Sequence, residues 1–316
     1  MSKKRGGCLI GILVCIVAIL TPWLALSKTS LIMVTEGIID TGTSRVGSSR
    51  DPLLVLAIAI LALWLLAAIF APWLGLSPNQ IDLPRILAPP DASLWLGADD
   101  LGRPVLDRVL MGARTALAVG LGVVVVSALI GSLIGGFAAL AGGLWDLLIV
   151  RLIDIFLAFP GILLAIALAG ILGPGLGNLV IALASVGWVG YARLARAQVL
   201  SLRSREHVLA ARALGVGDGR ILLRHLLPLA AAPLLVEATF GVAAAVISEA
   251  GLSFLGLGVQ PPAASWGSMI RDGVGALLVA PHLVLAPGIA LLLVVLAINR
   301  VGDAWRDRLD VRGRVV

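Results

Sequence analysis

Along this chain, long apolar runs alternate with shorter segments that hold most of the charge. The runs are Cys8–Leu26, Leu53–Trp73, Ala116–Ala141, Leu147–Leu172, Leu176–Tyr191, Leu226–Ala250 and Leu277–Ile298. A helix needs roughly 20 apolar residues to cross a hydrocarbon core of about 30 Å, and most of these runs are that long. None alternates with period two as a membrane-barrel strand does, and backbone groups in lipid must bond within their own segment. The pattern predicts an all-α fold, a polytopic membrane helical bundle. It has six core transmembrane helices from Leu53 onward and an extra N-terminal apolar helix over Cys8–Leu26. Gly131 and Gly135 form a small-xxx-small pair suited to close helix contact. Leu176–Tyr191 continues as a helix into the basic segment that follows it.

Composition agrees with a membrane protein. Of 316 residues, 59% are hydrophobic and 13% charged, with a mean hydropathy of +1.06; soluble domains carry about 25% charged residues. The net charge of +6 reflects arginines at span ends and in polar segments, which reads as topology rather than nucleic-acid binding. Seven arginines lie in 192–227 (Arg193, Arg196, Arg203, Arg205, Arg212, Arg220, Arg224), and five follow Asn299 (Arg300, Arg306, Arg308, Arg312, Arg314). Both segments belong in the cytoplasm, and the two spans between them are consistent with that. Counting back puts 74–115 outside, as a mixed-charge loop with Asp82, Asp91, Asp99, Asp100 and Asp107, and 27–51 inside. The chain divides into an N-terminal apolar segment and linker (1–50), a first core span with its external loop (51–115), the main transmembrane domain (116–310) and a tail (311–316).

A crossing at Cys8–Leu26 would leave Lys3, Lys4 and Arg5 outside, against the positive-inside rule. Three readings stand: an extra span, an element lying along the membrane, or a signal-like segment that is removed. Cys8 and Cys15 would sit about 10 Å apart on one helix, too far for a disulfide.

The segment Glu206–Pro228, EHVLAARALGVGDGRILLRHLLP, is the most informative polar insert. Ala210 and Ala211 let a helix approach a partner. Gly215 can take positive φ and end that helix. Asp218 is suited to cap a second short helix with Ile221, Leu222 and Leu223 as an apolar face, and Pro228 marks the start of the next span. The plainer reading is a positive-inside loop at the membrane surface.

Arg151, Asp154, Glu237 and Glu249 lie within or near spans, where ionisable groups are costly and often functional. They read either as a proton or cation relay or as structural pairs, Arg151 and Asp154 being three apart on one helix face. Glu249 falls near the outer end of its span, within reach of water. Pro160, Pro174 and Pro287 are candidate helix breaks. Residues 251–267, GLSFLGLGVQPPAASWG, read as an irregular or re-entrant outer segment, with Phe254, Leu255, Gln260 and Trp266 as candidate pathway or gate residues. His207, His225 and His282 form no metal-ligand spacing, so no metal site is expected. All three lysines precede residue 29, and none follows a glycine-rich phosphate loop, so the chain is not expected to hydrolyse ATP.

From about Leu94 to Asp310 the chain resembles the inner-membrane permease subunit of the dipeptide, oligopeptide and nickel ABC importers. The segments that carry this are LGADDLGRPVLDRVLMGAR (96–114), DIFLAFPGILLAIAL (154–168), GWVGYARLARAQVLSLRSREHVLAARALG (187–215), ISEAGLSFLGLGVQPPAASWGSMIRDG (247–273) and NRVGDAWRDRLD (299–310). The chain departs from the family pattern at Leu209, where a Glu is usual, and at Leu229, where an Asn is frequent. The resemblance implies a bacterial cytoplasmic (inner) membrane location and a non-catalytic role. It implies a second homologous permease, two ATPase subunits that bind ATP and Mg, and an extracytoplasmic substrate-binding protein as partners. It makes 206–228 a cytoplasmic coupling helix and loop, with Glu206, Ala210, Ala211, Gly215, Ile221, His225 and Pro228 as the residues of the ATPase-coupling loop. The cargo implied is a di- or oligopeptide, with nickel or another small solute as the alternative. An ion-gradient carrier working through the intramembrane acids is the alternative of another class.

Overall fold

The computed structural model describes residues 51–313. The Cys8–Leu26 run, the rest of the 1–50 segment and the last three residues lie outside the described residues.

Helix α1 (Pro52–Phe70) starts at Asp51, whose carboxylate accepts the Leu53 N–H at 3.0 Å, and Pro52 fills the first helical position. Helix α2 (Val105–Ala141) begins eleven residues before the apolar run predicts, because Asp107, Arg108 and Arg114 sit on its outer turns without interrupting it. Then come α3 (Gly143–Ala158), α4 (Gly161–Leu172) and α5 (Leu176–Leu202), which does extend through the basic residues after Tyr191. The cytoplasmic α6 (Glu206–Ala213) and one-turn α7 (Asp218–Ile221) follow. A π-turn (Leu222–Leu226) leads into α8 (Leu227–Phe254). A short outer helix α9 (Trp266–Val274) precedes α10 (His282–Gly313). This last helix starts at His282 rather than Leu277, and it carries Arg300, Arg306, Arg308 and Arg312 beyond Asn299. Among the described residues, five helices are long and apolar enough to cross a bilayer, and six crossings result if the bent α3–α4 pair counts as one.

That pair corrects the single span expected over Leu147–Leu172. The two helices are bent by 88°. Proline disfavours helical backbone in the residue before it and has no N–H to donate. Phe159 is accordingly extended (φ −102°, ψ 143°), and Pro160 becomes the N-cap of α4.

The bundle is built around α2. Gly131 and Gly135 face α5 so closely that a Cβ on Gly131 would strike the Trp188 carbonyl, and one on Gly135 the Ala192 carbonyl. One buried cluster joins α1, α2, α8, α9 and α10 through Trp64, Ala113, Val246, Trp266 and Leu291. A second joins α2, α4, α5 and α8 through Val119, Ala165, Leu179 and Leu252. A third, on the cytoplasmic side, joins Ala139, Val199, Val208, Ile221 and Leu226. The Arg300–Asp51 ion pair ties the inner ends of α10 and α1.

Candidate functional site

The cytoplasmic unit is joined to the bundle at both of its ends. Where α5 ends, Arg203 donates to the Ala139 carbonyl at 2.8 Å, satisfying one of the carbonyls left open at the end of α2. Helix α6 ends in a Schellman motif. Gly215 takes φ +78°, its N–H reaches the Arg212 carbonyl at 3.0 Å, and the Val216 N–H reaches that of Ala211 at 3.1 Å. Val208 and Ala211 are both buried, and Val208 joins the third cluster. Glu206, His207, Leu209, Ala210 and Leu214 face outward, and Leu214 is 85% exposed.

Three expectations here need correction. Asp218 is not a cap: Gly217 holds that position without a side-chain bond, and Asp218 instead pairs with Arg212 at 3.2 Å, tying α6 to α7. Ile221, Leu222 and Leu223 do not share a face, for the first two are buried and the third is exposed. Nor does the second short helix, α7, stand apart from the next span. Residues 218–254 run as one helix, because the Leu227 N–H reaches back to the Leu222 carbonyl in the π-turn just before Pro228, which has no N–H to donate to Arg224. His225 is half-buried in that turn, and Pro228 is exposed.

At the outer face, Phe254 and Leu255 are exposed where α8 ends. Gln260 is exposed too, and donates to the carbonyls of Gly256 at 3.0 Å and Gly258 at 3.3 Å. Trp266 is different. It is 2% exposed, its indole N–H donates to the Val109 carbonyl at 2.9 Å, and it lies against Gly112. It locks α9 to α2 rather than lining an open surface. Glu249, expected within reach of water, is 1% exposed. Its Oε1 accepts the Ser253 hydroxyl at 2.7 Å, and the same hydroxyl accepts the Val259 N–H at 3.3 Å. The carboxyl therefore anchors the start of the outer loop.

The four intramembrane ionisable residues do not form one cluster. Arg151 and Asp154 pair at 3.7 Å on the exposed side of α3. Glu237 and Glu249 are twelve residues apart on α8, roughly 18 Å along its axis.

Two ion-paired groups escaped the reading of the sequence. Asp99, Arg103 and Arg108 are all buried, with Asp99 Oδ2 2.7 Å from Arg103 Nε and 3.4 Å from Arg108 Nε. Asp99 also accepts the N–H groups of Leu101 and Arg103, both at 2.9 Å, which folds 99–103 into a compact cap under α2. The Asp99–Arg103 spacing was a visible signal for this. Asp146 and Arg196, fifty residues apart, gave none.

Residues 129–315 match the family described as the binding-protein-dependent transport system inner membrane component. The chain is 43% identical over 262 residues to the dipeptide transport system permease protein DppC of Alkalihalophilus pseudofirmus, covering 83% of this chain and 86% of that one. It is 41% identical over 263 residues to the glutathione transport system permease protein GsiD of Escherichia coli O6:K15:H31, covering 83% and 87%. With this similarity along most of its length and a bundle of membrane-crossing helices, the chain belongs to the family of binding-protein-dependent transport system inner-membrane components.

Proposed function

We propose that this permease forms half of the translocation pathway of an ATP-driven importer for small peptides, with α6 as the part pushed by an ATPase subunit. The relatives' names, which specify dipeptide and glutathione transport, support the cargo class, since glutathione is itself a small peptide. The permease pairs with a second permease, two ATPase subunits that bind ATP and Mg, and an extracytoplasmic binding protein. The observation that carries the coupling role is the way α6 is held. Its outward face offers Leu209, Ala210 and Leu214, while Val208 on its inner face joins the buried cluster shared by α5 and the start of α8. The Arg212–Asp218 pair ties its far end to the same helix, and the Schellman turn closes α6 itself. A displacement of α6 is thus passed directly to both spans.

The experiment is co-purification with the ATPase and second-permease subunits, with and without Gly215→Pro. Proline cannot adopt φ +78°. The substitution is expected to abolish ATPase association while the transmembrane bundle still folds. Unchanged association and peptide-stimulated ATP hydrolysis in the variant would remove α6 from the coupling role.

A further inference from the structure

Helix α8 displays one face unlike the lipid-facing surfaces elsewhere. Glu237 is exposed ten residues after Leu227, roughly 15 Å into the membrane from the cytoplasmic side. Ala244, Ser248 and Gly251 follow it at spacings of seven, eleven and fourteen, so they lie on the same stripe, exposed or half-exposed. By contrast, α1 presents Leu53, Leu56, Ile58 and Leu63 to its surroundings. A carboxylate held in hydrocarbon costs several kcal/mol, and such groups face a partner or a water-filled cavity.

Across from Glu237 stand an exposed glycine and, behind it, a buried hydroxyl. A Cβ on Gly190 of α5 would lie 3.5 Å from Glu237 Oε1, and Gly190 is exposed. The next residue, Tyr191, is 4% exposed, and its buried hydroxyl has no hydrogen-bond partner. That hydroxyl abuts Gly241, one turn along α8 from Glu237. Arg193, one turn from Gly190, is exposed but does not neutralise Glu237: among the described residues no basic nitrogen lies within 4.0 Å of that carboxylate.

We propose that Glu237, beside Gly190 and the Tyr191 hydroxyl, is a contact in the pathway for the protonated amino group of the cargo. This rests on the importer reading. A small peptide carries an ammonium group that matches an unpaired carboxylate, and the small side chains along the stripe leave room for it. Arg193 offers the opposite charge one turn closer to the cytoplasm, so a zwitterion is met by both signs.

The test uses the assembled transporter with its partner subunits, carrying Gly190→Cys with Cys8→Ser and Cys15→Ser. A cationic methanethiosulfonate reagent is expected to modify the new thiol about tenfold faster than an anionic one, as a focusing carboxylate does. Glu237→Gln should bring the two rates together. Excess Ala-Ala should slow modification, while N-acetyl-Ala-Ala should not. A thiol that neither reagent reaches, rates without charge preference, or equal protection by the two peptides would each overturn the proposal. If the rates keep their charge preference but ignore ATP, the importer reading fails and the cation contact stands. If they follow ATP without charge preference, the contact fails and the importer reading stands.

Discussion

Asp146 on α3 takes both arms of the Arg196 guanidinium on α5, at 2.6 and 2.7 Å. This fork-to-fork pair fastens the first half of the broken α3–α4 unit to the central bundle at its cytoplasmic side. Apart from Ile153, α3 buries little against the rest of the chain.

The two side chains are partly buried, 30% and 22% exposed. Their pairing should therefore be worth about 1–2 kcal/mol, between the values for exposed and fully buried pairs. Arg196→Ala and Asp146→Ala should each lower the thermal midpoint of the purified protein, and the double variant should lose less than the sum of the two. Arg196→Lys should recover only part, because lysine cannot make the forked contact. Additive losses in this cycle would mean the pair carries no coupling energy.

At Gly135 a methyl group would strike the backbone of Ala192 rather than a movable side chain. Gly135→Ala should separate α2 from α5 and destabilise the protein by about 1–3 kcal/mol or more, as overpacking does. Gly170→Ala is the control: a Cβ there meets nothing within 4 Å. Its thermal midpoint should stay put or rise slightly, since alanine favours helix over glycine.

Trp266 separates packing from hydrogen bonding. Trp266→Phe keeps most of the ring and removes only the bond to Val109, an expected cost of ~1 kcal/mol. Trp266→Ala opens a cavity beside Gly112 and should cost about 3–5 kcal/mol. Thermal unfolding in detergent distinguishes them, and equal losses would show that the indole N–H dominates.

Leu214 touches little within this chain, so Leu214→Asp should leave stability within about 0.5 kcal/mol of the parent. The same change should sharply reduce ATP hydrolysis by the assembled transporter in response to loaded binding protein. A stable variant with full ATPase response would show that the outward face of α6 is not a docking surface.

Much of the fold was legible from apolar run lengths and arginine placement, because a bilayer imposes both on any crossing helix. The Gly131/Gly135 contact was legible too, since only small residues let two backbones approach that closely. The positive φ at Gly215 followed from the same kind of local rule. Each of these is signalled by residues close together in the chain, although the partner that Gly131 and Gly135 meet, α5, is not.

Only the tertiary structure decided matters that depend on what stands across a helix. Trp266 and Phe254 belong to one outer segment, yet the first is buried against α2 and the second is exposed, a difference set by Gly112, more than 150 positions before Trp266. Glu249 and Glu237 share one helix, yet the first is sealed by Ser253 and its loop while the second faces an exposed glycine on α5. Local pattern predicts that an acid lies in the membrane; whether it is sealed, paired or open is a property of the facing helix, which hydrophobic periodicity does not encode.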